Sequence, residues 1–212
     1  MVKIKICGIT NLEDAKASIE AGYNGLGFVF YKKSLRYINP KKAKKIFQKI
    51  SPSVKKIGVF VNEKEFKIRN IAKELKLDML QFHGDESPDF CKRFKNYKVI
   101  KAFRIKDKSS LGDLRKYGAW GFLFDNYQKD AFGGTGKKFD WKLIKNLKTG
   151  RKNIFISGGL NTRNVKKAIQ ILHPDWVDVS SSVETKPGKK DIKKVKRFIK
   201  IVKNYNLNTD SL

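Results

Sequence analysis

The stretch from Lys3 to Phe30 reads KIKICGITNLEDAKASIEAGYNGLGFVF, in which two apolar runs flank a helical segment. The runs Lys3–Gly8 and Gly25–Phe30 lack strict alternation of polar and apolar residues, as expected for strands buried on both faces. Thr10 and Glu13 have the spacing of a capping box, which predicts where the helix begins. The stretch therefore predicts a strand–helix–strand unit.

The same cycle continues along the whole chain. Further apolar runs are Ile57–Val61, Asp78–Phe82, Val99–Phe103, Gly121–Phe124, Asn153–Ile156 and Trp176–Val179. Helical apolar stripes lie between most of them, and shorter helices are expected at Pro88–Phe94 and Leu111–Tyr117. Eight strands in a chain of this length predict an α/β fold, a single-domain (β/α)8 barrel of the TIM type over residues 1–204. A tail is expected at 205–212, and an open doubly wound sheet remains the alternative fold.

Composition excludes several classes of protein. The chain has 212 residues, of which 40% are hydrophobic, so general disorder is excluded. Cys7 and Cys91 are the only cysteines, which argues against a disulfide framework and favours a reducing compartment, the cytoplasm. The start has no apolar signal region, and no run approaches the roughly 18 apolar residues of a membrane helix.

The charge of the chain is strongly positive. The formal net charge is +28, and lysines occur in every segment from Lys3 to Lys203. This even distribution favours solvated lysine-rich faces over a dedicated nucleic-acid surface, and no membrane partner is expected. A positive field would also raise the local concentration of an anionic small-molecule substrate.

The residues that follow the strands carry the candidate chemistry, because barrel enzymes place their sites at the C-terminal ends of the strands. All of these residues are polar, small or titratable. They are Cys7-Gly8, Arg36 after Phe30, Asn62, His83-Gly84, Arg104, Asp125-Asn126, Ser157-Gly158-Gly159 and Ser180-Ser181-Ser182.

Glycine and serine in the last two of these segments predict a phosphate site. Gly158 and Gly159 follow the seventh strand, and Ser181 and Ser182 follow the eighth. Backbone N–H groups in such loops bind phosphate, and glycine permits a close approach. Gly134, in a glycine-rich loop after the sixth strand, is expected to close over the same end.

A thiol and a carboxyl are candidates for proton transfer. Cys7 ends the first strand and Asp125 ends the sixth, so both are expected to face one pocket from separate sides. Position alone leaves open whether Cys7 is a base or a packed small side chain. Cys91, beside Phe90, is expected to pack in the core.

The other candidates concern binding. Arg36 lies in a polar loop and has the guanidinium fork that suits a carboxylate, although a solvated loop arginine is the alternative. Gln81, His83 and Arg104 are further pocket candidates. With His173 expected at the opposite face, no zinc site is expected, and no glycine pattern for a nucleotide cofactor occurs.

Nine segments in this order resemble the phosphoribosylanthranilate isomerase family. They are Lys5–Thr10, Gly27–Phe30, Ser34–Tyr37, Gly58–Asn62, Leu80–Gly84, Phe124–Asp125, Gly133–Gly136, Ser157–Leu160 and Asp178–Glu184. The resemblance extends from Lys3 to about Lys200, nearly the whole chain.

The resemblance implies an activity and roles for the matching residues. The family catalyses the Amadori rearrangement of N-(5-phosphoribosyl)anthranilate in tryptophan biosynthesis, with neither metal nor cofactor. The resemblance implies that Cys7 is the general base, Asp125 the general acid, and Arg36 the residue that holds the anthranilate carboxylate. It also implies that the glycine and serine loops bind phosphate through backbone N–H groups. Monomers or homodimers are expected.

Two departures and two alternatives accompany this resemblance. Ser182 stands where the family usually has Gly, and Leu35 where it often has Pro, and both changes are expected to weaken substrate binding. A related barrel isomerase of histidine biosynthesis performs similar chemistry but has aspartate in place of Cys7, and activity on both substrates remains an alternative. A basic nucleic-acid-binding barrel without catalysis is the alternative from another class.

Overall fold

The computed structural model describes residues 1–127, 139–147, 149–150 and 152–209. Within these residues, eight parallel strands form a closed barrel in chain order, which confirms the predicted (β/α)8 fold. The strands are β1 (Lys3–Cys7), β2 (Gly25–Val29), β3 (Lys55–Phe60), β4 (Met79–Phe82), β5 (Lys98–Ile105), β6 (Gly121–Asn126), β7 (Asn153–Ile156) and β8 (Trp176–Val179).

Pairing between the first and last strands closes the barrel. Strand β1 pairs in parallel with β2 on one side and with β8 on the other, where the register runs from Lys3 opposite Trp176 to Ile6 opposite Val179. An open doubly wound sheet leaves its two edge strands unpaired. The alternative fold is therefore wrong.

Helices cover the outside of the barrel. They are α1 (Leu12–Ala21), α2 (Pro40–Phe47), α3 (Glu65–Leu75), α4 (Pro88–Lys92), α5 (Val165–Leu172) and α6 (Ile192–Thr209). The predicted capping box at the start of α1 is wrong. Asn11 is the N-cap, and its side chain accepts a hydrogen bond from the backbone N–H of Asp14. Thr10 instead donates its hydroxyl to the carbonyl of Gly188, so a tertiary contact replaces the local one.

The segments before β6 and before β7 contain 3-10 turns. The helix expected at Leu111–Tyr117 is replaced by two 3-10 turns, Lys108–Leu111 and Leu114–Lys116. Gly112 lies between them with a φ of 51°, a conformation that ends the first turn. A further 3-10 turn, Trp141–Leu143, precedes β7.

The C-terminal segment packs against the start of the chain. An antiparallel pair, β9 (Glu184–Lys186) and β10 (Lys189–Lys190), leads into α6, which continues to Thr209. The Asn206 side chain accepts a hydrogen bond from the N–H of Val2 at 2.9 Å and donates to its carbonyl at 3.0 Å. The structure thus differs from the tail expected at 205–212, because residues 205–209 are helical, while 210–212 lie outside the described residues.

The barrel interior is apolar near the N-terminal ends of the strands. Its cluster consists of Ile57, Met79, Ile100, Ala102, Leu123, Phe155 and Trp176, one or two from each of six strands. Phe155 and Trp176 stack with ring centroids 5.1 Å apart. This layer closes the N-terminal end of the barrel, so the polar interior positions are those nearer the C-terminal ends of the strands.

Candidate active site

Strand alternation carries polar side chains into the barrel above the apolar layer. Leu123 belongs to that layer, and Asp125 lies two residues later on the same face of β6. Trp176 and Asp178 have the same relation in β8, as do Met79 and Gln81 in β4. The polar site is therefore a direct consequence of the strand period of two.

A cavity at the C-terminal ends of the strands collects several of the predicted residues. Cys7, Arg36, Gln81, His83, Asp125 and Ser157 line it together with Asp178 and Ser180. Cys7 and Asp125 reach it from β1 and β6, which are three strands apart around the barrel. A thiol and a carboxyl thus face a common space from different sides.

Cys7 is partly exposed, and its thiol is crowded by its own surroundings. A Cβ at Gly27, on the neighbouring strand, would lie only 2.7 Å from Sγ, so the space for the sulfur depends on glycine at that position. Burial raises the pKa of the Cys7 thiol, while the charges of Lys5 and Lys190 oppose this change. The net pKa lies above the ordinary value.

Asp125 is held between its own backbone and a histidine. Its Oδ1 accepts a hydrogen bond of 2.7 Å from the N–H of Asn126, and its Oδ2 lies 3.2 Å from Nε2 of His83. The other ring nitrogen of His83 is 2.7 Å from the amide nitrogen of Gln81. His83 thus lies between the amide of Gln81 and the carboxyl of Asp125.

Arg36 is held by an ion-pair cluster at the edge of the cavity. Its Nη2 lies 2.7 Å from Oε2 of Glu184, and its Nε donates to the same carboxylate. Lys190 binds Glu184 at 2.8 Å from the other side. Burial opposes ionisation of Glu184, but Arg36 and Lys190 outweigh burial and lower its pKa. Among the described residues, none accepts a hydrogen bond from Nη1 of Arg36, which leaves this donor for a ligand.

The loops after β7 and β8 have the geometry of an anion site. Gly158 and Gly159 adopt φ values of 72° and 68°, in the left-handed region that favours glycine. A Cβ at Gly158 would lie 2.7 Å from the backbone nitrogen of Asn126. No described residue accepts a hydrogen bond from the backbone N–H groups of Gly159, Ser181 or Ser182. Backbone donors of this kind suit a phosphate dianion.

Ser182 and Leu35, the two departures from the family pattern, both lie in ordered local structure. Ser182 lies in a 3-10 turn, is not among the residues with positive φ, and donates its hydroxyl to the carbonyl of Leu160. The side chain of Leu35 is 77% exposed, and the loop is tied locally by a bond from the N–H of Arg36 to the Ser34 hydroxyl. The expected weakening of substrate binding by these two changes stays a prediction.

Three other predicted positions lie elsewhere. Arg104 binds Asp85 at 2.6 Å and borders a separate cleft beside β5, so it does not line the cavity that holds Cys7. His173 ends α5 with a φ of 44°. Gly134 lies outside the described residues.

Sequence reasoning missed Lys5, Asp178, Glu184 and Lys190 as parts of the site. All four are buried although charged. For Lys5 and Asp178, the available signal was a charged side chain inside an apolar strand, at a spacing of two from a polar strand end. Lys5 precedes Cys7 by two residues, and Asp178 precedes Ser180 by two.

The described residues contain neither a cluster of metal ligands nor a helix suited to a membrane. Within the described ranges, no group of three or more His, Cys, Asp and Glu side chains could hold a metal ion. None of the helices in the same ranges is both long and apolar enough to cross a membrane.

The fold and the cavity define a class: a (β/α)8-barrel enzyme whose polar site at the C-terminal ends of the strands suits isomerisation by proton transfer. The family model described as N-(5'-phosphoribosyl)anthranilate (PRA) isomerase matches residues 4–201. The chain belongs to this family.

Individual relatives agree with this assignment. An N-(5'-phosphoribosyl)anthranilate isomerase from Trichlorobacter lovleyi is 43% identical over 96% of this chain and 98% of its own length. One from Thermotoga maritima is 44% identical over 96% of this chain and 99% of its own. The crystal structure of the phosphoribosyl anthranilate isomerase from Thermotoga maritima has a TM-score of 0.89 at 42% identity, covering 96% of this chain and 100% of that one.

A further solved structure contains a ligand. It is a phosphoribosyl anthranilate isomerase in complex with reduced 1-(o-carboxyphenylamino)-1-deoxyribulose 5-phosphate. It matches 96% of this chain and 100% of its own, with a TM-score of 0.86 and 41% identity.

Proposed function

We propose that this chain catalyses the Amadori rearrangement of N-(5-phosphoribosyl)anthranilate to 1-(2-carboxyphenylamino)-1-deoxyribulose 5-phosphate in tryptophan biosynthesis. The observation that carries the proposal is the placement of Cys7 and Asp125 on separate sides of one cavity in a barrel of this family. The ligand named in the related complex has a carboxyphenylamino group at one end and a phosphate at the other. Arg36 and the glycine and serine loops supply donors for those two ends.

The reaction needs one group that gives a proton and one that takes a proton. Asp125 donates a proton to the ribose ring oxygen as the C1–O bond breaks and the anthranilate nitrogen forms a Schiff base. The Cys7 thiolate then removes the proton from C2, which produces an enolamine. The enol loses its hydroxyl proton and C1 gains one, giving the ketose. Solvent returns the proton of Cys7 to Asp125 for the next cycle.

Anchors at both ends of the substrate hold the reacting carbons between acid and base. We assign the phosphate to the backbone N–H groups of Gly158, Gly159, Ser181 and Ser182, and the carboxylate to Arg36. Fixing both anions limits the motion of the sugar, and well-oriented groups react faster than freely diffusing ones. Glu184 and Lys190 support this arrangement by fixing the guanidinium.

The proposed activity is tested with a coupled fluorescence assay. Anthranilate, phosphoribosyl pyrophosphate and the preceding transferase generate the labile substrate in place, and its consumption is followed. Consumption that depends on the protein supports the proposal. A folded protein that consumes none of this substrate would contradict it, and the aminoaldose of histidine biosynthesis would then be assayed.

Arg36→Met is expected to raise KM by about 10- to 100-fold with little change in kcat. The variant removes charge-assisted hydrogen bonds to the carboxylate, each of which contributes about 1.5–3 kcal/mol. Steady-state kinetics with both constants measured provide the test. Arg115→Met, at a surface arginine that is 86% exposed, is the matched control and should leave KM unchanged. A fall in kcat alone would contradict the role of Arg36 as a carboxylate anchor.

Raised ionic strength is expected to lower kcat/KM severalfold while kcat stays constant. The net charge of +28 attracts a substrate that carries a phosphate and a carboxylate, and salt screens this attraction. Initial rates at low substrate concentration, measured over a series of salt concentrations, provide the test. A kcat/KM that does not depend on salt would argue against electrostatic capture.

A further inference from the structure

A lysine is buried inside the barrel directly beneath the proposed base. Lys5 is 0% exposed and lies two residues before Cys7 in β1, so both side chains project to the same interior face. Fully buried lysines are rare unless they are paired. The proposed reaction gives Lys5 no role. Its burial implies that an opposite charge lies beside it.

The partner of Lys5 is Asp178 on the neighbouring strand. The two residues are opposite each other in the β1–β8 register, and Nζ lies 2.7 Å from Oδ2. Burial alone would lower the pKa of the Lys5 ammonium, but Asp178 and Cys7 raise it above the ordinary value. Lys5 is therefore a cation, and Asp178 compensates for its burial.

The Lys5 ammonium also lies close to the thiol, because Lys5 and Cys7 are two residues apart on the same face of β1. Among the groups around Cys7, the charge of Lys5 is the largest influence that opposes burial and favours the thiolate. Charged and titratable groups face this region from β1, β4, β6, β8, β10 and the loop after β2. They are Lys5, His83, Asp125, Asp178, Lys190 and Arg36. The charge of Lys190 also favours the thiolate but contributes less. Its Nζ donates a hydrogen bond of 2.6 Å to the backbone carbonyl of Cys7.

We propose that Lys5 is a positioning residue for the reaction, whose buried ammonium ion stabilises the Cys7 thiolate, with Asp178 as the counter-ion that keeps the ammonium charged and in place. The inference rests on the proposed function, because it assigns Cys7 the role of base. Lys5 keeps its proton throughout. Only the thiol and thiolate forms of Cys7 interconvert, and Lys5 favours the thiolate.

A second buried ion pair in the same barrel provides a matched control. Lys101 binds Glu86 at 2.9 Å, and both side chains are 3% exposed, but neither lines the cavity that holds Cys7. Loss of either lysine removes a buried ion pair. Of the two losses, only that of Lys5 is expected to change the ionisation of the Cys7 thiol.

The test measures the rate of Cys7 alkylation by iodoacetamide as a function of pH, without substrate. The variants are Lys5→Met, Lys101→Met and the double variant Lys5→Met with Asp178→Asn. The double variant avoids an unpaired buried carboxylate, so it remains informative where the single variant fails to fold. Alkylation of the Cys7→Ser variant gives the background from Cys91, whose pKa burial raises to about 12.

The midpoint of the alkylation profile is expected to move to higher pH in Lys5→Met, with a rate about tenfold lower below the midpoint, as for loss of one neighbouring opposite charge. Lys101→Met should keep the wild-type midpoint. In the double variant the shift should have the same sign but be smaller, because Asp178→Asn also removes a negative charge that disfavours the thiolate. An unchanged midpoint in the folded double variant, or an equal shift in Lys101→Met, would overturn the proposal.

Kinetics separate this inference from the proposed function. The acidic limb of kcat/KM should move in the same direction as the alkylation midpoint. An unmoved midpoint combined with inactive Cys7→Ser would refute the role of Lys5 and leave the proposed function in place. A Cys7→Ser variant with normal activity would refute the proposed function and the catalytic purpose of Lys5 with it.

Discussion

Cys7→Ser is expected to lower kcat by about 10²–10⁴-fold, the contribution typical of one proton-transfer group. A hydroxyl is a far weaker acid than a thiol, so serine supplies almost no anionic base at neutral pH. The fold should be retained, because serine is smaller than cysteine and the narrow space beside Gly27 accommodates it. Steady-state rates with the coupled assay, together with circular dichroism and thermal unfolding, measure both effects.

The second cysteine offers the control for this substitution. Cys91 is 1% exposed and lies in α4, away from the cavity. Cys91→Ala should reduce stability through lost packing but keep kcat near that of the wild type. Substantial turnover by a folded Cys7→Ser variant would refute the assignment of Cys7 as the base.

The pH dependence of the wild-type enzyme should reflect the same thiol. Burial raises the pKa of Cys7 above its ordinary value, and a base must be deprotonated to act. On the acidic side of that pKa, kcat/KM should therefore rise by about tenfold per pH unit, and it should level off above it. We therefore expect this rise in kcat/KM to occur at pH values above neutrality.

Asp125→Asn is expected to lower kcat by a similar factor, about 10²–10⁴-fold, with a smaller change in KM. The amide has the shape of the carboxyl and can still accept the hydrogen bond from the N–H of Asn126, but it cannot donate a proton to the ring oxygen as an acid. Ring opening would then proceed without its acid. Single-turnover rates with preformed substrate measure this step apart from product release.

A surface aspartate provides the comparison for Asp125. Asp89 has a side chain that is 85% exposed, and Asp89→Asn should leave kcat and KM unchanged. The unfolding midpoint of Asp125→Asn should remain close to that of the wild type, since the cavity keeps its volume. A kcat for Asp125→Asn within a factor of about two of the wild type, well below the usual contribution of a general acid, would show that another group donates the proton.

Much of the fold was predictable because its elements are encoded locally. The runs Asn153–Ile156 and Trp176–Val179 coincide with β7 and β8. Elements with competing signals were less predictable. Asn11 is the N-cap of α1, whereas the hydroxyl of Thr10 binds the carbonyl of Gly188. In the segment where one helix was expected, Gly112 separates two 3-10 turns.

The candidate site was predictable only in part, because tertiary contacts also decide where its side chains lie. Cys7 and Asp125 could be placed at one end of the barrel from the strand period and the rule that sites lie at strand C-termini. Arg104 satisfies the same rule but turns to Asp85 and a separate cleft. A position at a strand end predicts which end of the barrel a residue occupies, but the rotamer and its partners decide whether it enters the cavity.

The sequence by itself determined the eight strands and the face on which each strand side chain lies, because these depend on neighbours a few residues apart. The tertiary structure alone decided barrel closure and the charge environment of the site. Lys5 meets Asp178 across a separation of 173 residues, and Arg36 meets Glu184 across 148. Such pairs form only when closure brings β1 beside β8, and their burial in a space with little water gives their charges influence over the thiol and the guanidinium.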